Sequence, residues 1–207
     1  MRQEQGRALT EPQPSLPEQE IASARRVLGR RNLVFVGLMG AGKSAIGRIV
    51  AQMLDIPFVD SDHEIERVSR MSIPELFEAY GEAEFRALEA RVIKRLLRTG
   101  PRVLSTGGGA FMNDATRATV LASGLSVWLK ADLEVLWTRV SKRDSRPLLK
   151  TANPKQTLAS LLEQRYPVYA EADVTVQSRD DPKETIAAEA IAAIARLDGE
   201  RKKAPSQ

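Results

Sequence analysis

The stretch Gly37-Leu38-Met39-Gly40-Ala41-Gly42-Lys43-Ser44 limits the fold more than any other part of the chain. It follows the apolar run Leu33–Val36 and opens directly into a helical pattern, in which Ile46, Val50, Met53 and Leu54 share one face. A strand that turns through glycines straight into a helix aims several backbone N–H groups at one small volume, at the helix end that carries partial positive charge. In a G-x-x-x-x-G-K-S loop the lysine, here Lys43, reaches the β- and γ-phosphate oxygens of a nucleotide, and the hydroxyl of Ser44 is placed to ligate Mg²⁺. Gly40, Ala41, Gly42 and Ala45 complete the expected phosphate cradle. A glycine-rich turn with no ligand would need neither the lysine nor the hydroxyl. Kinases, GTPase switches and ATPase motors share this loop, so the rest of the chain must decide between them.

Beyond the loop, short apolar runs alternate with longer helical patterns. Strands are predicted at 33–36, 57–60, 102–105, 126–129 and 174–177. Helices are predicted at 43–54, 62–70, 73–80, 82–98, 114–121, 133–142, 156–166 and 183–196. Strands separated by helices pair in parallel through right-handed crossovers. The expected fold is therefore α/β, a three-layer α/β/α sandwich on a five-stranded parallel sheet, with ligands outside the carboxyl ends of the strands. The domain is expected over 32–198. Residues 1–31 form an N-terminal extension, largely disordered around Pro12 and Pro14, with a short helix at 18–29 ending at Gly29. Residues 199–207 form a second polar tail.

Composition removes several chemistries. The 207 residues hold no cysteine and one histidine, His63, so thiol nucleophiles, disulfides and Cys/His zinc clusters are excluded. His63 reads as a solvated helix residue. The net charge of +4 suits an acidic substrate and a polyphosphate as well as it suits nucleic acid. With only 5% aromatic residues, base stacking on nucleic acid is not expected. No run approaches the roughly 18 apolar residues of a membrane span, and the first thirty residues lack a secretory apolar core, so a cytoplasmic location is expected.

The chemistry must then come from carboxylates, Lys, Arg and backbone amides. Asp60 and Asp62 leave the second strand on the same side, where one can serve a metal through water and the other can meet an acceptor hydroxyl. Ser61 and Glu64 also form an S-x-x-E capping pattern, which would account for the helix start but not for Asp60. The third strand runs into Gly107-Gly108-Gly109, whose entropic cost suggests exposed amides and room for a ligand against the main chain. Arg86 lies among Glu82, Glu84 and Glu89, and Arg146 lies in a basic segment, 141–155, suited to a mobile lid.

The segments GLMGAGKS, VDSD, GEAEFRALE, LSTGGGA, RPLL at 146–149 and LLEQRYPVY at 161–169, in this order and spacing, resemble the shikimate kinase family over about residues 32–195. The resemblance implies a P-loop kinase fold. It also implies transfer of the ATP γ-phosphoryl group to the 3-hydroxyl of shikimate, giving shikimate 3-phosphate and ADP in aromatic amino-acid biosynthesis, with Mg²⁺. It implies that Asp62 contacts the ring hydroxyls as base or orienter, that Arg86 and Arg165 hold the substrate carboxylate, and that the Gly107–Gly109 amides approach the ring. It further implies that Glu89 buttresses Arg86 or the ring site, and that Phe77 and Phe85 form an apolar wall. Asp60 and Ser105 would stand in the Mg²⁺ water shell behind Ser44. Arg146 would swing from the lid onto the ATP phosphates, and Arg139 would flank the adenine. The partners implied are ATP, ADP and shikimate, acting on a monomer, with neither membrane nor nucleic acid. The chain departs from the family pattern at Arg179-Asp180-Asp181, where acids stand near the expected adenine contacts, and Arg179 is expected to compensate. The other readings are a gluconate kinase-like enzyme, which should lack the triple glycine and Phe85-Arg86-x-x-Glu89, and a non-catalytic shikimate sensor, for which Lys43, Asp62 and Arg146 would be superfluous.

Overall fold

The computed structural model describes residues 17–142, 147–149 and 151–203. The strands are β1 (Asn32–Val36), β2 (Phe58–Asp60), β3 (Val103–Ser105), β4 (Gly124–Lys130) and β5 (Val174–Gln177). The helices are α1 (Glu18–Leu28), α2 (Lys43–Leu54), α3 (Ser61–Ser69), α4 (Ile73–Leu97), α5 (Asp114–Ser123), α6 (Leu133–Val140), α7 (Pro154–Tyr169) and α8 (Lys183–Lys203). Short 3₁₀ turns occupy Ala110–Met112 and Pro147–Leu149.

The five strands form one parallel sheet in the order β2-β3-β1-β4-β5. β1 lies at its centre, with Leu33 opposite both Val103 and Leu125. All of β1 is buried, as a strand covered by helices on both faces must be. Gly47 lets α2 lie close on the sheet, because a Cβ there would stand 3.0 Å from the Phe58 ring. Parallel pairing puts every strand exit on one edge, which gathers Gly37, Asp60, Ser105, Lys130 and Gln177. This is the edge where the sequence places its polar motifs.

Three elements are informative when set against expectation. The helices expected at 73–80 and 82–98 meet, within α4, at a kink where expected: Gly81 takes the non-helical φ 77° and ψ 174°. Their start is fixed by a reciprocal capping box between Ser72 and Glu75. α7 continues through Pro167 to Tyr169 rather than stopping at 166, and Tyr166 and Tyr169 pack with Trp128, while Tyr169 also stacks on Phe111.

The third is α1. It buries Ala24, Val27 and Leu28 in the same core as the sheet and packs along α8. Arg25 Nε donates to Leu54 O at 3.0 Å, meeting a carbonyl that α2 leaves open at its C-terminus. Arg26 pairs with Asp198 at 3.1 Å. The ordered core thus includes residues ahead of the segment expected to form the domain. Leu28→Ala should lower the free energy of unfolding by about 2–4 kcal/mol, measured by urea denaturation; an unchanged midpoint would mean that α1 adds no core.

Candidate active site

The phosphate loop has the geometry its glycines allow. Gly40 and Gly42 take φ 83° and 97°, which side chains other than glycine rarely adopt. Gly42 caps α2, and the first turn of that helix carries no acidic residue, so its N-terminal field is open to an anion. Lys43 is buried and its Nζ donates to Gly37 O at 2.8 Å and Leu38 O at 3.0 Å, which holds the ammonium across the mouth of the loop.

Behind the loop, Ser44 Oγ donates to Asp60 Oδ2 at 2.6 Å and lies 3.1 Å from Ser105 Oγ. Three strand exits therefore bring two hydroxyls and one carboxylate together. Such a set of oxygens fits Mg²⁺, which takes few protein ligands and keeps water and phosphate for the rest. Asp60 also settles how α3 begins. Its Oδ1 accepts from Asp62 N at 3.0 Å, so Asp60 is the N-cap, and the Ser61–Glu64 capping box is not formed. Ser61 is released for another contact, and Glu64 pairs with Arg67 and Arg95 instead.

That other contact reaches the triple glycine. Gly107 N donates to Ser61 Oγ at 3.1 Å. A Cβ at Gly107 would stand 2.7 Å from Glu89 Oε1 and 2.9 Å from Asp62 Oδ1, and one at Gly109 would stand 2.5 Å from Arg86 Nη2. The sequence suggested that the glycines leave room for a ligand. In the fold, the room at Gly107 and Gly109 is filled by the site's own charged side chains. Gly108 approaches the phosphate loop, where a Cβ would lie 3.3 Å from Met39 N, and its carbonyl accepts from Arg165 Nη1 at 3.1 Å and from the Tyr169 hydroxyl.

A pocket opens over this turn. It is lined by Asp62, Arg86, Glu89, Arg165 and Gly107–Gly109, with Phe77, Phe85, Ile73, Met39 and Leu148 as its apolar walls. The Phe77 and Phe85 rings lie 4.5 Å apart, as an apolar wall requires. Arg86 Nη1 donates to Glu89 Oε2 at 2.8 Å, and Glu82 accepts from the outer side of the guanidinium at 3.1 Å. Burial works against the charge on Arg86, but the two glutamates outweigh it and hold the pKa above its ordinary value. Burial pushes the Glu89 carboxyl up, with the neighbouring Arg86 opposing and Asp62 adding to the rise. Burial likewise pushes the Tyr169 hydroxyl up to about 12, so it stays protonated and able to donate to Gly108 O.

On the nucleotide side, Arg139, expected to flank the adenine, is tied into the phosphate loop. Its Nη1 donates to Gly40 O at 3.2 Å and Ser178 Oγ at 3.0 Å, and its Nη2 donates to Arg179 O at 2.7 Å. Arg179 itself pairs with Asp181 at 2.5 Å and with Glu189, so its charge is engaged by carboxylates of this chain rather than held out for a ligand. Arg146 lies outside the described residues; next to it, the 3₁₀ turn Pro147–Leu149 brings Leu148 to the pocket. Sequence reasoning missed Ser61, Met39, Ile73, Leu148, Tyr169 and Ser178. Of these, Tyr169 had a signal, because it stands four residues after Arg165 and so shares its helix face.

A family model described as shikimate kinase matches residues 39–195. A shikimate kinase of Rhizobium leguminosarum bv. trifolii is 70% identical over 171 residues, covering 83% of this chain and 87% of that protein. One of Rhizobium meliloti is 67% identical over 172 residues, covering 83% and 90%. Among solved structures, shikimate kinase from Acinetobacter baumannii in complex with shikimate superposes with a TM-score of 0.79 at 36% identity, covering 87% of this chain and 99% of that one. A gluconokinase from Sinorhizobium meliloti, at 20% identity and a TM-score of 0.55, shares the fold alone.

The buried Glu89 gives the site a readable pH signature. Its raised pKa means that the folded protein holds the proton more tightly than the unfolded chain does. The stability linked to that proton is complete below the ordinary value of 4.5 and is lost as the pH rises through the raised value. Glu89→Gln removes this titration. Compared by urea midpoints, the wild type should lose ground to the variant as the pH rises from about 4 to 7; a difference that stays flat would show that burial does not govern Glu89.

Proposed function

The chain belongs to the shikimate kinase family and is an ATP-dependent kinase of shikimate, and we propose how its residues share the phosphoryl transfer. The observation that carries this reading is the junction at Gly108: the phosphate loop touches it through Met39, and Arg165 and Tyr169 hold its carbonyl. Donor and acceptor sites thus share one wall.

Arg86 and Arg165 hold the shikimate carboxylate, for which planar guanidinium groups supply both charge and direction. The Phe77 and Phe85 wall receives the apolar side of the ring, and the backbone of Gly107–Gly109 lines its edge. Asp62 meets the 3-hydroxyl. As the hydroxyl oxygen bonds to the γ-phosphorus, the bond from that phosphorus to the β–γ bridging oxygen breaks, giving shikimate 3-phosphate and ADP. The hydroxyl proton passes to the Asp62 carboxylate or from there to water. Because the transition state is loose, orientation of the hydroxyl contributes as much as proton removal.

Lys43 and the amides of Gly40, Gly42, Ser44 and Ala45 hold the phosphates; the Ala41 amide, expected among them, is instead turned to Leu38 O at 3.2 Å. Ser44 and Asp60, with Ser105 behind them, would hold Mg²⁺, which would supply positive charge to offset that of the phosphates. Arg139 stands beside the loop on the adenine side. Arg146, carried by a lid over 141–155, adds positive charge at the γ-phosphate, a contribution worth about 10³–10⁵ in rate in related chemistry. We propose a monomer as the working unit. We place that unit in the cytoplasm.

The test is ADP release with Mg-ATP and shikimate, quinate, gluconate or CMP as acceptor. Turnover should require shikimate; turnover with gluconate instead would move the enzyme to the fold relatives. Asp62→Asn should lower kcat by about 10² or more with ATP binding retained, as single-turnover kinetics would show. Arg165→Ala should raise the KM for shikimate by about 10–100-fold, the loss of a charged hydrogen bond. Loss of ATP binding in that variant would remove Arg165 from the carboxylate clamp.

A further inference from the structure

We infer that Ser178 is a positioning residue for the phosphate loop: its hydroxyl ties down the Ala41 carbonyl and so aims the Gly42 amide at the nucleotide phosphates. Neither the loop signature nor the resemblance to the family gives this residue a role.

Ser178 follows β5 directly and is completely buried. Its N–H donates to Lys130 O at 2.6 Å, extending the pairing of β4 and β5 one residue past the strand. Its hydroxyl donates to Ala41 O at 2.8 Å, 137 residues away in sequence, and accepts from Arg139 Nη1 at 3.0 Å. The same Arg139 nitrogen also reaches Gly40 O at 3.2 Å. Two successive carbonyls of the loop are thus drawn to the exit of the sheet's last strand. A buried hydroxyl is costly unless bonded, and here both of its bonds serve the loop.

In a planar trans peptide the C=O and the following N–H point in opposite directions. With Ala41 O fixed toward Ser178, the N–H of Gly42 must face the other way, into the concave side of the loop. Ala41 N is already engaged with Leu38 O at 3.2 Å, which makes the orientation of the next amide matter more. Gly42, at φ 97°, has no side chain to restrain its peptide, and its freedom would otherwise have to be lost when ATP arrives. Fixing the peptide in advance shifts that entropic cost to folding. The shikimate pocket is built from α3, α4, the glycine turn, α7, Leu148 and Met39 of the phosphate loop, whereas the hydrogen bonds of Ser178 go to Ala41, Arg139 and Lys130, none of which lines it.

The inference rests on the reading of the loop as the ATP site, and steady-state kinetics separate the two. Ser178→Ala should raise the KM for ATP and the inhibition constant of tripolyphosphate together, by about 3–10-fold, the loss of one hydrogen bond. The KM for shikimate should stay within about twofold, because the interaction lost belongs to the nucleotide alone. Ser178→Cys keeps the volume but donates weakly, and should show the same split, so the test does not depend on how well the alanine variant folds. An unchanged KM for ATP, or parallel losses for both substrates, overturns the inference. So does a raised KM for ATP with tripolyphosphate unaffected, which would place the effect at the base. A wild type inactive with shikimate would instead defeat the family reading, independently of how the variants compare.

Discussion

Two missing side chains organise the acceptor site. At Gly109 the Arg86 guanidinium occupies the place of a Cβ, and at Gly107 the Glu89 and Asp62 carboxylates do the same. The charged groups are held against main chain at distances no other residue permits. A buried carboxylate and guanidinium are stable together only when paired and desolvated in step, and the 2.8 Å contact between Arg86 and Glu89 provides that pairing. The pair stands beside the backbone that faces the acceptor. A side chain added at Gly109 would displace Arg86, and one at Gly107 would displace Glu89 and Asp62.

Three consecutive residues connect this turn with the donor side. Asp60 bonds to Ser44 behind the phosphate loop, Ser61 accepts from the Gly107 amide, and Asp62 enters the pocket. Their directions differ because the chain passes there from strand to helix, and Asp60 fixes the passage by capping Asp62 N. One transition thus sets the geometry of metal oxygens, glycine turn and acceptor carboxylate together. The metal side and the acceptor side cannot shift independently.

Much of this was legible in the sequence because it is local. The phosphate loop needs only its neighbours, β5 was expected over the residues it occupies, and the helical faces follow a 3.6-residue period. Arg86, Glu89 and Arg165 were singled out through the resemblance that short motifs carry, and they meet at the pocket. What the sequence hid depends on contacts between distant segments. The capping pattern at Ser61–Glu64 looked complete, yet Glu64 is drawn to Arg95, 31 residues on, and Asp60 caps the helix. The glycines signalled close approach without revealing what approaches. The bond from Ser178 to Ala41 joins the exit of the outer strand β5 to the loop after the central β1, which only the strand order brings together. α1 showed an apolar face, but nothing local identified α8 as its cover.

The pairing of α1 with α8 has a consequence for synthesis. Arg26 and Asp198 are separated by 172 residues, so the helix made early docks on a surface made late. At typical translation speeds of about 5–20 residues per second, that interval is roughly 10–35 seconds. Through it, Ala24, Val27 and Leu28 have no partner from α8, while the central strands can already begin to pair. The nascent chain therefore presents a small apolar face on α1 until α8 is made, the kind of surface that chaperones recognise on growing polypeptides.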